Sequence, residues 1–224
     1  MTFSQTVGAA PGNGSLEPTE QVAQALASRI CHDLVSPVGA VVNGMDLLQE
    51  MAGMPATEEI SLIAQSARRS ADVLAFHRLA FGAAGPESAQ MARPTVLTTI
   101  DAMLAGPRVT LSSTGNEGPA LERTAARALA LAALCARGLM GMRGALVLTL
   151  SPDASLPMRV VATGVDLERK GALARRLQDP RAPTNELDPR SIEFLLVHTA
   201  IEAAQARMSV DIDGGTTTLT MVRP

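Results

Sequence analysis

Arg29-Ile30-Cys31-His32-Asp33-Leu34-Val35-Ser36-Pro37 lies inside a long segment with helical apolar spacing. At 3.6 residues per turn, Ile30, Leu34, Pro37, Val38, Val41, Met45 and Leu48 share one stripe, which predicts a helix of a bundle. His32 falls nearly opposite, among Ser28, Arg29, Ser36 and Gly39, with Ala25 and Asn43 one turn further out. A histidine ringed by short polar side chains on the outer side of a helix is open to another protein's surface. Pro37 withholds the hydrogen bond that the Asp33 carbonyl would receive. It costs roughly 3 kcal/mol inside an ordinary helix, so any bend falls in the turn that carries the histidine.

Working outward, the first helix runs from Thr19-Glu20 to about Met51, where Gly53 and Pro55 end it. Residues 1–18, rich in Gly, Ala, Pro and Ser, read as disordered. Thr57-Glu58-Glu59 opens a second helix to about Gly82, with Ile60, Ile63, Ala67, Ala71, Leu74 and Phe81 on its stripe. The short connection makes the pair an antiparallel hairpin. A hairpin cannot bury its stripe on every side, so the expected remedy is a second copy, giving a four-helix bundle in a homodimer. Docking onto the C-terminal half is the alternative.

The texture turns to Gly, Ala and Pro at Gly82–Glu87, which places a domain boundary between 19–85 and 86–224. Beyond it helices and strands interleave: a helix at Thr95–Leu104, a strand at Arg108–Ser113, an alanine-rich helix at Leu121–Met140, and strands at Ala145–Leu150 and Arg159–Thr163. A helix at Leu167–Leu177 leads through a polar loop to a helix capped by Asp188-Pro189 and ending near Gln205. A hairpin at Met208–Asp211 and Thr217–Val222, turned through Asp213-Gly214-Gly215, closes the chain. The class is α+β, with an N-terminal helical hairpin and a C-terminal α/β sandwich whose helices cover one face of a sheet.

Composition narrows the partners. The 224 residues are 46% apolar and 18% charged, with a net charge of −3 and no Trp or Tyr, so cores must be built from aliphatic residues and alanine. An acidic chain argues against nucleic acid. Lys170 is the only lysine, so anion contacts fall to arginine. Cys31 and Cys135 lack a pairing pattern, and no signal peptide or apolar run long enough for a bilayer is read, so a reduced cytoplasmic chain without membrane contact is expected. Three separated histidines (His32, His77 and His198) are too few for a metal cluster; His77 and His198 read as packing or surface residues.

The plain reading of His32 is a surface histidine beside an acid. The sharper one follows from its setting. A neutral imidazole is a nucleophile at pH 7 that can take a phosphoryl group, and such transfer needs position and an in-line approach. Asp33 can fix the ring tautomer, leaving the other nitrogen to attack. Ser36 can line the approach. Arg29 and Arg78 either attract an acidic pocket or pair on the surface.

His-Asp with proline at the fifth position resembles the H-box of histidine-kinase dimerisation helices. The run Arg29–Pro37, followed by Gly44-x-Asp46-Leu47-Leu48 and by Phe76-x-Arg78-x-Ala80-Phe81-Gly82-Ala83, is similar to the ChpT-type histidine phosphotransferases of alphaproteobacteria. The motif match covers about the first 85 residues; the rest agrees in layout. That resemblance implies a dimeric four-helix bundle and a C-terminal domain like the ATP-binding domain of histidine kinases that does not bind ATP. It implies phosphoryl transfer from the receiver domain of a hybrid histidine kinase to response regulators of the cell cycle. His32 would be the phosphoacceptor and Asp33 the acid that follows it, with Arg29, Ser36, Pro37 and Gly39 at the docking face. No cofactor would be bound intrinsically, Mg²⁺ being supplied at the partner receiver.

The residues themselves test the kinase alternative. An ATP site of this type needs a helix asparagine for Mg²⁺, an aspartate for adenine and glycine-rich phosphate loops. Leu121–Met140 has no Asn or Asp, the strand that should end in Asp-x-Gly-x-Gly reads Val161-Ala162-Thr163-Gly164-Val165, and Gly138, Gly141 and Gly144 read as a helix end and turn. Three functions remain in order: histidine phosphotransferase, diverged kinase, and a non-catalytic dimeric scaffold for receiver domains.

Overall fold

The computed structural model describes residues 18–50, 57–82, 89–152, 156–179 and 188–224. The expected disorder of 1–17, the first helix's end at Gly53 and Pro55, most of the proposed boundary and most of the polar loop after Asp179 lie outside the described residues.

Helix α1 (Pro18–Glu50) continues through Pro37 and pairs with α2 (Thr57–Ala80) as the expected hairpin. Gly44 is buried where the helices come closest: a Cβ there would lie 2.5 Å from Ile63 Cγ1. The C-terminal part begins with β1 (Gln90–Met91) and α3 (Arg93–Leu104), then β2 (Val109–Thr114), β3 (Leu121–Glu122) and α4 (Arg123–Leu139). It continues with β4 (Gly144–Leu150), β5 (Met158–Thr163) and α5 (Leu167–Gln178). A 3₁₀ turn (Pro189–Ser191), α6 (Glu193–Ala203), β6 (Arg207–Asp213) and β7 (Thr216–Val222) complete it. The main sheet has the order β2-β4-β5-β7-β6, with β2 parallel to β4 and the other pairs antiparallel; β1 and β3 make a separate short ladder that the sequence reading lacks.

The central element is α4. Ala125, Ala126 and every residue from Ala128 to Ala136 are buried, so its middle is apolar because it is covered on every side, while Arg123, Arg127 and Arg137 towards its ends are only half-buried. Its alanines allow close approach of the sheet, α3, α5, α6 and α2. Asp188 caps the 3₁₀ turn by accepting from the Arg190 amide at 2.9 Å. Gly214 and Gly215, at φ 53° and 80°, form the two-residue turn between β6 and β7, a conformation that favours glycine. Buried Arg93 binds three carbonyls, those of Pro119, Gly115 and Ser151, and ties the start of α3 to two loops.

Two expectations need correction. The stripe assigned to α2 is largely not its inner face: Ile60, Ala67, Ala71 and Leu74 are exposed, while Ser66, Val73, Phe76, His77, Leu79 and Ala80 are buried. The inner face is set by α3 and α4, which pack against α2 and which local periodicity does not register. The stripe of α1 likewise divides. Val38 and Met45 are exposed with Val35 and Val42, whereas Ile30, Leu34, Pro37, Val41 and Leu48 are half-buried.

The second correction concerns the membrane. Thr19–Leu48 is long and apolar enough by length and composition to cross a bilayer, contrary to the sequence expectation. Its middle nevertheless holds Arg29 and Asp33, both ion-paired, with the ion pairing of Arg29 reaching the C-terminal part. A hydrocarbon layer would have to replace that pairing.

Replacing Gly44 by Val should lower Tm. The gain in helix propensity, about 0.3 kcal/mol for a β-branched residue, is smaller than the roughly 1–3 kcal/mol of overpacking against Ile63; a Tm equal to or above wild type would refute close helix contact here.

Candidate functional site

Successive residues of a helix are 100° apart. That spacing separates the roles of the His-Asp pair: Asp33 lies on the inner face of α1, and His32 lies outside it. The His32 side chain is 59% exposed, against 14% for Asp33. His32 Nδ1 is 3.2 Å from Asp33 Oδ1. With the proton on Nδ1, that atom donates to the carboxylate and Nε2 keeps its lone pair, which makes Nε2 the nucleophilic nitrogen.

Asp33 is held from two further directions. Arg29 Nε donates to Oδ2 at 2.9 Å, an i,i+4 pair on the same helix. From α2, His77 Nε2 lies 3.3 Å from Oδ2. That contact is an electrostatic approach without hydrogen-bond alignment. Burial alone would raise the Asp33 carboxyl. The neighbouring His77, Arg29 and His32 outweigh it and hold the group well below the ordinary carboxylate range, so it is an anion at all working pH.

His77 is buried, 3% exposed, with its ring stacked on Phe81 at 5.3 Å and edge-on to Phe76. Expected as packing or surface, it packs, but against the aspartate. Only the antiparallel pairing of the helices brings position 77 to position 33; the nearby Phe76-x-Arg78 pattern was the available signal.

Arg29 extends the array to the C-terminal part of the chain. One terminal nitrogen, Nη1, donates to the Arg190 carbonyl at 2.8 Å and to Glu193 Oε2 at 3.2 Å. Of the two readings left open for Arg29, pairing within the chain is the one found, and its side chain is 13% exposed. Arg78 is exposed. Burial pushes the Glu193 carboxyl up, Arg29 opposes it, and the result is about 7. Neither Arg190 nor Glu193 was singled out from sequence.

The remaining candidates divide. Ser36 is exposed beside His32, with Ser28 and Asn43. Pro37 is half-buried, and Gly39 has open space where a side chain would project. Ala25, expected on the outer face, is buried at 4% instead. His198 is half-buried, its Nε2 3.2 Å from the Arg176 carbonyl. Among the described residues no three His, Cys, Asp or Glu side chains converge as a metal site. The arrangement can present one neutral nucleophilic nitrogen to a visitor, above a fixed negative charge that steadies the ring as it becomes cationic.

Known proteins bear on the chain as follows. Residues 93–216 match the family model of the histidine phosphotransferase C-terminal domain. Protein phosphotransferase ChpT of Brucella abortus (strain 2308) is 31% identical over 196 residues, covering 84% of this chain and 87% of its own. The solved structure of a bacterial phosphotransferase superposes with a TM-score of 0.70 at 25% identity, over 93% of this chain and 98% of its own. A histidine kinase domain from Erythrobacter litoralis aligns over 92% of this chain and 93% of its own at 13% identity, with a TM-score of 0.41.

Glu193 supplies a pH test. Its folded value of about 7 lies above the unfolded 4.5, so its contribution to stability is full below 4.5 and is lost as pH rises to about 7. The corresponding loss is roughly 3 kcal/mol. Tm of the wild type should fall across that window and that of Glu193→Gln should stay flatter; parallel curves would reject the buried carboxyl as the cause.

Proposed function

This chain belongs to the histidine phosphotransferase family, and on that premise we propose that His32 carries the phosphoryl group in a two-component phosphorelay. The observation that supports this reading most is the exposed imidazole on a rigid helix, its Nδ1 against an obligate anion. A receiver domain presenting an aspartyl phosphate, with Mg²⁺ in its own acidic pocket, approaches the His32 face between Ser28, Ser36 and Gly39. His32 Nε2 attacks phosphorus in line; the N–P bond forms as the P–O bond to the receiver aspartate breaks, and the carboxylate leaves with the electron pair. The ring becomes cationic, and Asp33 offsets that charge through the Nδ1 proton. Reversal of the same step onto a second receiver, that of a response regulator, discharges the group. The chain needs no cofactor of its own, and the cytoplasm is where such partners work.

Asp33 stays in place because three groups hold it. His77 and Arg29 are therefore positioning residues, with Arg29 acting on a partner through Asp33 and not by direct contact. Gly39 leaves the approach open, with nothing within 4 Å of where a side chain would begin.

The decisive assay is incubation with a phosphorylated receiver. An acid-labile label should appear on the wild type and be absent from His32→Gln; equal labelling of the variant would reject His32. The non-catalytic scaffold reading predicts no label on either, and a diverged kinase predicts label from ATP and Mg²⁺ alone.

The second part of the proposal is a homodimer. Val35, Val38, Val42 and Met45 of α1 and Ile60, Leu62 and Leu74 of α2 form exposed apolar faces on one hairpin, more than an isolated chain leaves open without reason. A two-fold copy would cover both at once as a four-helix bundle while leaving His32, about 100° round the helix from the α1 stripe, uncovered. Val38→Glu with Val42→Glu should convert the dimer to a monomer in sedimentation; an unchanged dimer would place the interface elsewhere.

A further inference from the structure

Between the hairpin and the C-terminal domain lies an open cleft of about 470 Å³, within the size range of small-molecule sites. Arg29 of α1, Arg69 of α2, Arg108 before β2 and Arg137 near the end of α4 all reach it, and among the described residues no carboxylate lines it. Four arginines in one concavity repel one another unless something offsets their charge. Glu193 and Asp33 answer Arg29. Arg69 uses two nitrogens on the carbonyls of Ala102 and Met103 at the end of α3, and no described carboxylate pairs with it. The Arg108 and Arg137 guanidinium groups make no hydrogen bond or ion pair to any described residue, and burial lowers the Arg137 guanidinium. The rest of the wall is apolar, with Met103, Leu134 and Met142 prominent.

A guanidinium in such a setting is suited to a phosphate, which it meets through two parallel hydrogen bonds. A cavity of this size with an apolar wall takes a compact ligand better than a protein surface. We propose that this cleft binds a small molecule bearing an oligophosphate group, with Arg69, Arg108 and Arg137 as its phosphate contacts and the methionine and leucine wall against the remainder of the ligand. The assignment is independent of the phosphotransfer reading. It has a consequence for that reading, because Arg29 belongs both to the cleft and to the brace on Asp33: an occupant that draws Arg29 from Glu193 alters how the aspartate is held.

The test is calorimetric titration of the full-length protein with inorganic tripolyphosphate and, separately, with ATP, at physiological ionic strength and without Mg²⁺. Saturable binding of at least one probe is expected, weakened roughly tenfold or more in Arg108→Gln/Arg137→Gln. Lys170→Gln, which alters only a smaller neighbouring cavity, should bind as wild type does. Tighter binding of ATP than of tripolyphosphate identifies a nucleotide as the occupant, and equal or weaker binding of ATP overturns the part assigned to the methionine and leucine wall. No saturable binding, undiminished binding by the folded double variant, or loss in Lys170→Gln instead would each overturn the proposal. So would tighter binding of a glutamate-rich peptide than of either phosphate, which would give the cleft to an acidic protein segment. Label transfer to His32 measured with and without the probe reports the coupling separately, so its absence leaves the binding result standing.

Discussion

The Asp33 carboxylate is the point at which the parts of this molecule are joined. It lies in an interior partly closed to water, where an isolated anion would be costly, and it persists because Arg29, His77 and His32 converge on it. These partners come from both helices of the hairpin, and through Arg29 the array continues to the Arg190 carbonyl and Glu193 at the head of α6. One charge thus fixes the spacing of α1 and α2, ties the hairpin to the C-terminal domain, and sets the tautomer of the exposed imidazole. The same contacts that join the hairpin to the rest of the chain hold the carboxylate against the exposed ring.

Helix α1 divides its circumference among three tasks. One side, centred on Asp33 and Gly44, packs within the chain. A second, through Val35, Val38, Val42 and Met45, is apolar and open. His32 stands between them. This division accounts for a helix long and apolar enough to cross a bilayer that nevertheless carries an ion-pair array at its centre. Its apolar surface is spread over two faces that suit protein neighbours.

Much of this was legible in the residues. Helical periodicity and the interleaved elements of 86–224 led to an α+β chain with an N-terminal hairpin. The elements fell within a few residues of their expected places, from the helix ending at Leu104 to the terminal hairpin turning through Gly214-Gly215. The exposure of His32 followed from its angular position on α1, as did the ability of Asp33 to reach it. The division of each stripe into inner and outer faces did not follow, because α3 and α4 choose which side of α2 is covered, and no local pattern encodes that choice.

Sequence by itself determined what is local: which segments are helical, that His32 and Asp33 are adjacent and therefore turned 100° apart, and that Arg29 lies one turn before the aspartate. Tertiary structure alone decided what depends on distant segments meeting. His77 reaches Asp33 only because the hairpin folds back, and Arg29 reaches Glu193 across 164 positions. The arginines of the cleft come together from four separate segments. A contact between residues far apart in the chain is selected by the packing of whole elements, so it leaves no periodic trace in the order of the amino acids.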